Sequence, residues 1–445
     1  MDVETATREQ LLRIIAEQQR VIEQQQAVVE QLQARIVDLE ARLGRSGGRG
    51  MPGLKPGPGG EASKPARKPR AESTGRHRAE PTQRVMHAMD RCPRCGTHLV
   101  GGSVKRTREV IELAPSPVQI IEHVYVERRC PSCGKRWVPP APLQGAVVGR
   151  QRFGVGLVSL IATLREEGRL PVRTIQWYLQ TVHHLSLSVG AIVAASEQIA
   201  RRGQTTLEGI RERVRASPVV NADETGWREN GRNGYVWTFS TPTERYFTRG
   251  TREKEMVDRV LGDTFSGVLV SDFYAAYNHY DGLKQRCWAH LRLDIHELRE
   301  FYPDDASVQT WAKELGDLYA TAKAFSHPKE RERLCAKQRF ERLALAICAP
   351  YREDQAAAQR RLSARITRFI EELFVFVLHP AVPSQNNAAE RSLRHLVTSR
   401  KISGGTRSPA GTATKMALSS LFGTWRAQGV NPLHATRQLL ISPQV

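Results

Sequence analysis

The stretch Val219-Val220-Asn221-Ala222-Asp223-Glu224-Thr225-Gly226-Trp227 sets the reading of this chain. With Pro218 ahead of it, it opens on a short β-branched run that reads as a buried strand, and it delivers an acidic side chain, Asp223, at that strand's end. Val268-Leu269-Val270 leads in the same way into Ser271-Asp272. A third acid, Glu390 in Asn386-Asn387-Ala388-Ala389-Glu390-Arg391, lies among good helix formers, with no Gly or Pro between Ser384 and Ser403. Carboxylates at the ends of neighbouring strands and on one packed helix can converge on a single point. Such a cluster stays ionised only if cations neutralise it, and two Mg²⁺ (or Mn²⁺) ions about 3.5–4 Å apart form the clamp used for in-line phosphoryl displacement. Surface acids at strand ends are the competing reading for any one of them; all three in a strongly basic chain favour a site.

Working outward, Tyr235–Ser240 alternates as a strand, with Arg245–Thr248 as its partner. A helix over about 253–262, the strand ending at Asp272, then another helix and a strand through Cys287 complete a sheet. Antiparallel strands first, then strands alternating with helices, is the mixed order of an α/β RNase-H-like domain, placed over 216–300 and 381–425. Residues 301–380 turn wholly helical and form an all-α insertion, where Leu362, Ile366, Phe369, Leu373 and Val377 recur at helical spacing as core packing. Residues 426–445 are expected as a C-terminal tail. Glu224 is expected to face away from the site, leaving Asp223 as the ligand. Cys287 and His290, in Cys287-Trp288-Ala289-His290, read as a support packed beneath the carboxylates; a nucleophilic pair or a second zinc half-site are the alternatives. Arg391 and Arg394 could meet phosphates or pair with acids. Trp227, Trp237 and Trp425 read as core or interface residues, with Trp227 also a candidate for base stacking.

Lys+Arg number 66 against 46 Asp+Glu, a formal net charge of +20 across 445 residues, which points to a polyanionic partner and to more than one domain. A membrane surface is disfavoured, because no apolar run approaches the roughly 20 residues of a spanning helix. The N-terminus lacks the basic-then-apolar order of a signal peptide. Four of the seven cysteines fall in two CxxC pairs, which suggests a metal site in a reducing compartment. A cytoplasmic, nucleoid-associated protein is expected. Residues 1–43 read as a dimerising coiled coil: Ile15, Ile22, Val29, Ile36 and Leu43 take position a, and Leu11, Gln18, Gln25, Leu32 and Leu39 take position d. A lone amphipathic helix is the other possibility. Residues 44–90 form a basic Gly/Pro linker that cannot bury enough apolar surface to order itself. In the module 91–145, Cys92-Pro-Arg-Cys95-Gly and Cys130-Pro-Ser-Cys133-Gly each make a turn aiming two thiolates at one ion, giving a zinc-ribbon-like structural site for Zn²⁺. The gap between the pairs exceeds the common ribbon spacing of roughly 15–20 but holds strand material over Val118–Val126. His98 and His123 are alternative ligands. Residues 150–215 are helical, with segments from Pro171 and from Ser188 flanking His183-His184-Leu185 in a helix-turn-helix pattern that could meet DNA; a plain helical bundle is the equal alternative.

These segments, in this order, resemble a DDE transposase of the insertion-sequence-66 family, the type called transposase C. The resemblance is carried by the zipper, the basic linker, the two CPxCG turns, the Asp223-Glu224-Thr225 and Ser271-Asp272-Phe273-Tyr274 stretches, Cys287-Trp288-Ala289-His290, and Asn386 to Arg391 followed by Arg400-Lys401. It implies an RNase-H-like catalytic domain with a helical insertion, and two divalent ions held by Asp223, Asp272 and Glu390. It also implies cleavage and strand transfer at the terminal inverted repeats of a bacterial mobile element, joining to target DNA, and small accessory proteins encoded beside it. Arg391, Arg394, Arg400 and Lys401 are then the expected DNA-binding residues. The chain departs from many relatives in Ile402-Ser403-Gly404-Gly405, where they carry an aromatic-rich run. The alternatives from other classes are a noncatalytic zinc-containing DNA-binding protein and a metal-dependent nuclease without strand transfer.

Overall fold

The computed structural model describes residues 80, 83–104, 107, 118–139, 146–147, 152–253 and 255–442. The expected coiled coil over 1–43 and most of the linker over 44–90 lie outside them. The chain divides into two units, Met1–Glu112 and Leu113–Val445.

In the first unit, the Cys92 carbonyl accepts the Gly96 N–H at 2.9 Å, the Cys92 N–H donates to the Thr97 carbonyl at 2.9 Å, and Arg91 bridges to His98. Gly96 sits at φ +76, a conformation glycine adopts without steric cost. The second unit opens on a turn of the same design, Gly134 N–H to the Cys130 carbonyl at 2.9 Å with Gly134 at φ +68, between β1 (Arg128–Arg129) and β2 (Arg136–Trp137). The strand expected over Val118–Val126 does not form. That stretch is exposed and unpaired, and among the described residues of the second unit only the two-residue strands flank the knuckle.

Four helices follow: α1 (Val155–Glu166), α2 (Val172–His183), α3 (Val189–Arg202) and α4 (Gln204–Arg215). Ser188 caps α3 by accepting the Ala191 N–H at 3.1 Å, as expected of a Ser ahead of an apolar-periodic segment. Ile161, Ile175, Leu179, Ile192, Ala195 and Ile199 point inward; Val172, expected by its spacing on the face of Ile175 and Leu179, is partly buried, and Val182, expected there too, is exposed. Next come β3 (Val219–Glu229), β4 (Arg232–Ser240), β5 (Arg245–Gly250), α5 (Glu255–Leu261), β6 (Val268–Ser271) and β7 (Lys284–Arg286). The second expected helix of this region is only a short 3₁₀ turn, Ala275–His279. The sheet order is β5-β4-β3-β6-β7: β3, β4 and β5 run antiparallel, whereas β6 and β7 run parallel to β3. Asn230 (φ +50) and Gly231 (φ +76) make the β3–β4 hairpin, the Asn-Gly pair that a two-residue type I′ turn demands.

After β7 the chain forms α6 (Trp288–Phe301), α7 (Ala306–Ala324), α8 (Glu330–Cys348), α9 (Arg360–Arg368), α10 (Ile370–Leu373) and α11 (Val375–Leu378). These build their own core around Trp288, Trp311, Leu315, Phe340, Ile366 and Phe374. The periodic segment Leu362–Val377 is therefore three short helices and not one. Buried Gln285 of β7 explains how the breaks persist. Its side-chain amide donates to the Leu373 carbonyl at 3.0 Å and accepts the Phe376 N–H at 3.0 Å, satisfying backbone groups that the interrupted helix leaves over. The chain then returns to the sheet as α12 (Asn387–Ser403), α13 (Pro409–Ala427) and α14 (Pro432–Ile441). The segment expected as a tail over 426–445 thus carries a capped helix: the Asn431 side chain accepts from Leu433 and His434, and Leu440 is buried in the core of the first four helices.

Candidate active site

Asp223 lies within β3, not at its end as expected. What ends near it is the parallel pairing with β6, whose last matched pair is Asn221 with Val270. Two residues further along stand Asp223, still within β3, and Asp272, one residue past the end of β6. Because strand side chains alternate with period two, Asp223 shares the sheet face of Asn221, and Asp272 leaves the neighbouring strand, roughly 4.8 Å away, at the same level. Beyond this point β3 pairs with β4 on one side, and on the other is met by Arg400 and, at Glu229, by Thr406. Asp272 is fixed from two directions: its Oδ1 accepts the Tyr274 N–H at 2.9 Å, and its carbonyl accepts from Arg286 Nη1 at 2.8 Å. Arg286 is itself buried and paired with Glu372 at 2.5 Å, so the insertion helps hold the backbone of Asp272.

Glu390 occupies the first turn of α12, and the start of that helix is anchored by one buried side chain. Asn386 accepts from Asn221 Nδ2 at 3.0 Å, donates through its own Nδ2 to the Ala222 carbonyl at 2.7 Å, and donates its backbone N–H to Cys287 Sγ at 3.1 Å. The helix carrying the third acid is thus tied to the residues just before the first. Ser384 and Gln385 ahead of it are held by the insertion: the Trp288 N–H donates to the Ser384 carbonyl at 3.0 Å, and Gln385 Nε2 donates to the Tyr319 hydroxyl at 3.1 Å.

The three acids share one electrostatic field. The Asp223 carboxyl is pushed up to about 7, by burial first and then by repulsion from Glu224, Asp272 and Glu390. Glu224 points to the other sheet face, where Arg252 (3.0 Å) and the Tyr277 hydroxyl (2.8 Å) take its oxygens. His290 Nδ1 stands 3.8 Å from Glu390 Oε1. Its pKa is raised to about 9; hydrogen bonding to Cys287 contributes most, burial opposes, and Glu390 and Asp272 add to the rise. One ligand atom each from Cys287, His290 and Glu390 lies within 4.8 Å of the others. Cys287 and Trp288 are buried beneath, with Trp288 stacked on Tyr319 at 4.7 Å between ring centres.

The other expected residues fall as follows. Arg391, Arg394 and Lys401 are exposed. Arg400 instead turns inward, donating to the Thr225 hydroxyl at 3.2 Å and to the Gly226 carbonyl, so its guanidinium braces β3 just beyond Asp223. Trp227 is only 3% exposed and donates its indole N–H to Thr406 at 3.0 Å, which rules out the base-stacking role. Trp237 is buried in the sheet core, and Trp425 packs half-buried against the first four helices. Asn386, Asn221, Arg286 and Gln285 are the residues that sequence reasoning missed as supports. Their signal was faint: polar residues next to acidic motifs or inside strands.

Two of the knuckle thiols, Cys95 and Cys130, have their pKa lowered by hydrogen bonding. Hydrogen bonding with Thr97 and then with Cys92 holds the Cys95 thiol below its ordinary pKa. The Cys133 backbone and side chain do the same for Cys130. No helix among the described residues is long and apolar enough to cross a membrane.

A mixed sheet flanked by helices, with Asp223 and Asp272 just beyond the end of its parallel pairing, is the frame on which known relatives can be placed. The sequence model of the family described as "Transposase IS66 family" matches residues 150–414, more than half of the chain, and the chain belongs to that family. It is also 28% identical over 177 residues to the "Uncharacterized protein y4jO" of Sinorhizobium fredii (strain NBRC 101917 / NGR234), an alignment spanning 39% of this chain and 52% of that protein. The chain thus spans about half the length of the curated relative it matches.

Proposed function

We propose that this chain is a DDE transposase, in which Asp223, Asp272 and Glu390 hold two Mg²⁺ (or Mn²⁺) ions for cleavage and strand transfer at the ends of a bacterial insertion sequence. The observation carrying this reading is geometric: Asp223 and Asp272 stand two residues beyond the last parallel pair of β3 and β6, and Asn386 ties the start of the Glu390 helix to β3. A donor set of carboxylate oxygens under mutual repulsion fits hard divalent cations. Bound there, such ions would lower the pKa of an attacking hydroxyl and stabilise the departing oxygen. The strand order β5-β4-β3-β6-β7 supports the RNase-H-like description.

The residues' own work is positioning. Asn386 fixes the start of α12 against β3, Arg286 fixes the backbone of Asp272, and the His290 imidazolium offsets charge beside Glu390. In the first step a water oxygen bonds to phosphorus and gives up a proton, the bond from phosphorus to the 3′ oxygen breaks, and the departing 3′ oxygen takes up a proton to become a hydroxyl. In the second that hydroxyl attacks a target phosphodiester, displacing another 3′ oxygen, so no external oxidant or energy source is needed. Zn²⁺ at the knuckle cysteines Cys92, Cys95, Cys130 and Cys133, dimerisation through 1–43, accessory proteins of the same element and a cytoplasmic, nucleoid-associated location belong to the same proposal. The test is incubation of purified protein with terminal inverted repeats, with and without Mg²⁺. Wild type should give nicked and joined products, and Asp272→Asn neither, while still binding the ends. Cleavage by Asp272→Asn would overturn the assignment; nicking without joining would make the protein a nuclease.

A further inference from the structure

One face of α12, marked by Ala388, Arg391, Ser392 and His395, does not point at the carboxylates. It lines a cleft of about 440 Å³ whose opposite walls are Arg169 after α1, Arg245 at the start of β5, and Arg426 of α13. Arg394 completes a ring of five guanidinium groups. The nearby acids do not balance them. Glu167 pairs with Arg426 at 3.4 Å, and the Glu244 carboxylate is taken by Arg213 at 2.8 Å. Arg245 is occupied by the Thr241 and Glu244 carbonyls. Among the described residues, Arg169, Arg391 and Arg394 have no ion-pair partner, and all three are exposed. The crowding is felt: burial, then the charges of Arg391 and Arg426, hold the Arg245 pKa below its ordinary value.

We propose that this cleft seats backbone phosphates of the DNA strand that continues past the carboxylates. The inference rests on the transposase reading for the identity of the polyanion, and on charge complementarity for the place. Guanidinium forks match phosphate oxygens in planar, two-point geometry and are weakly hydrated, so unpaired arginines around a concave wall suit a phosphodiester better than water alone. Neighbouring residues of a helix are rotated by about 100°, so Arg391 faces the cleft while Glu390 faces the site. Arg394 lies three residues on, roughly 4.5 Å along the axis. A strand held in the cleft would therefore be held close to the reacting phosphodiester without touching the catalytic carboxylates. Phosphate contacts of this kind fix register and carry no base information.

The test uses the full chain and needs no catalysis. Binding of a fluorescent duplex of the element's terminal sequence, and of a scrambled duplex, is followed by anisotropy between about 50 and 200 mM salt. Replacing Arg169→Gln, Arg391→Gln and Arg394→Gln together should make the log–log salt slope shallower by about two to three, and weaken both duplexes about tenfold or more. An unchanged slope in a variant with wild-type circular dichroism and Tm overturns the proposal. So does a loss confined to the terminal sequence, which would mean base reading. Inorganic pyrophosphate is the competitor: if it outcompetes the duplex on wild type, and the variant loses only pyrophosphate binding, the cleft is a small-anion site and the proposal falls. The two readings fail separately. Cleft-dependent DNA binding without any cleavage would sink the transposase reading alone, whereas cleavage with an unaltered salt slope in the variant would sink only the cleft.

Discussion

Asn386 shows how much of the site depends on one neutral side chain. Its amide is buried and bonded both ways to β3, so Asn386→Ala would leave the Asn221 amide and the Ala222 carbonyl without partners. Each such orphan costs roughly 1–3 kcal/mol. The expected outcome is a Tm lower by several degrees and a cleavage rate that falls far more than affinity for DNA, measured by differential scanning and by single-turnover nicking. Asp223 makes the opposite prediction for stability. An unfolded aspartate titrates near 4 and the folded one at about 7, so between these values the folded state holds the extra proton. Stability therefore declines as pH rises through that window and is lowest above it, as long as no divalent ion is present. Asp223→Asn removes the titration. In EDTA at alkaline pH it should be more stable than wild type by on the order of 2 kcal/mol, with the advantage vanishing in acid. Mg²⁺ should raise the Tm of wild type and not of the variant. His290→Ala should slow nicking while leaving the Mg²⁺ concentration dependence in place, because the imidazole supports Glu390 and is not needed to hold the ions.

At the scale of elements, α12 is bounded by residues whose chemistry dictates the ends. Gly404 takes the left-handed position after the last turn (φ +70), donating its N–H to the Arg400 carbonyl at 2.8 Å. Gly405 (φ +103) lies so close to β3 that a Cβ there would overlap the Arg228 carbonyl oxygen. This explains the Gly404-Gly405 pair: the chain must touch the β3 hairpin edge, where Thr406 exchanges backbone bonds with Arg228 and Asn230. Gly405→Ala should cost on the order of 2 kcal/mol or more in urea denaturation, and Gly404→Ala less. Much of this was legible beforehand. The β-branched runs before Asp223 and Asp272, the Gly- and Pro-free stretch around Glu390, and the stripes on α2 and α3 are local signals, and local signals survive into the fold. What was not legible depends on partners far away in the chain. Gln285 looks like any strand residue until the breaks of the insertion helix are seen closing on it. Arg400 looks like a DNA contact until β3 is found beside it. No spacing rule could have placed Asn386 against Asn221.

Across the whole molecule, the helical region before the sheet and the helices after it are joined by a buried ion pair. Lys415 of α13 reaches both oxygens of Glu166 on α1 at 2.9 Å, and Ser419 donates to the same carboxylate at 3.1 Å. Both charged side chains are almost wholly buried, so solvent cannot screen either one. Because α13 also packs along β5, where Ser420 donates to and accepts from the Phe247 backbone, the pair couples the first four helices to the edge of the five-stranded sheet. Removing one partner strands the other charge in a dry interior, at a cost of about 3–5 kcal/mol. Lys415→Met and Glu166→Gln should each lower the unfolding midpoint steeply, whereas the double change Glu166→Leu with Lys415→Met should be milder than Lys415→Met alone, because nothing charged is left behind. A double-mutant cycle in denaturant measures this directly. Near-additive losses would show that water reaches the pair and that the helical region is held to the sheet by apolar packing alone.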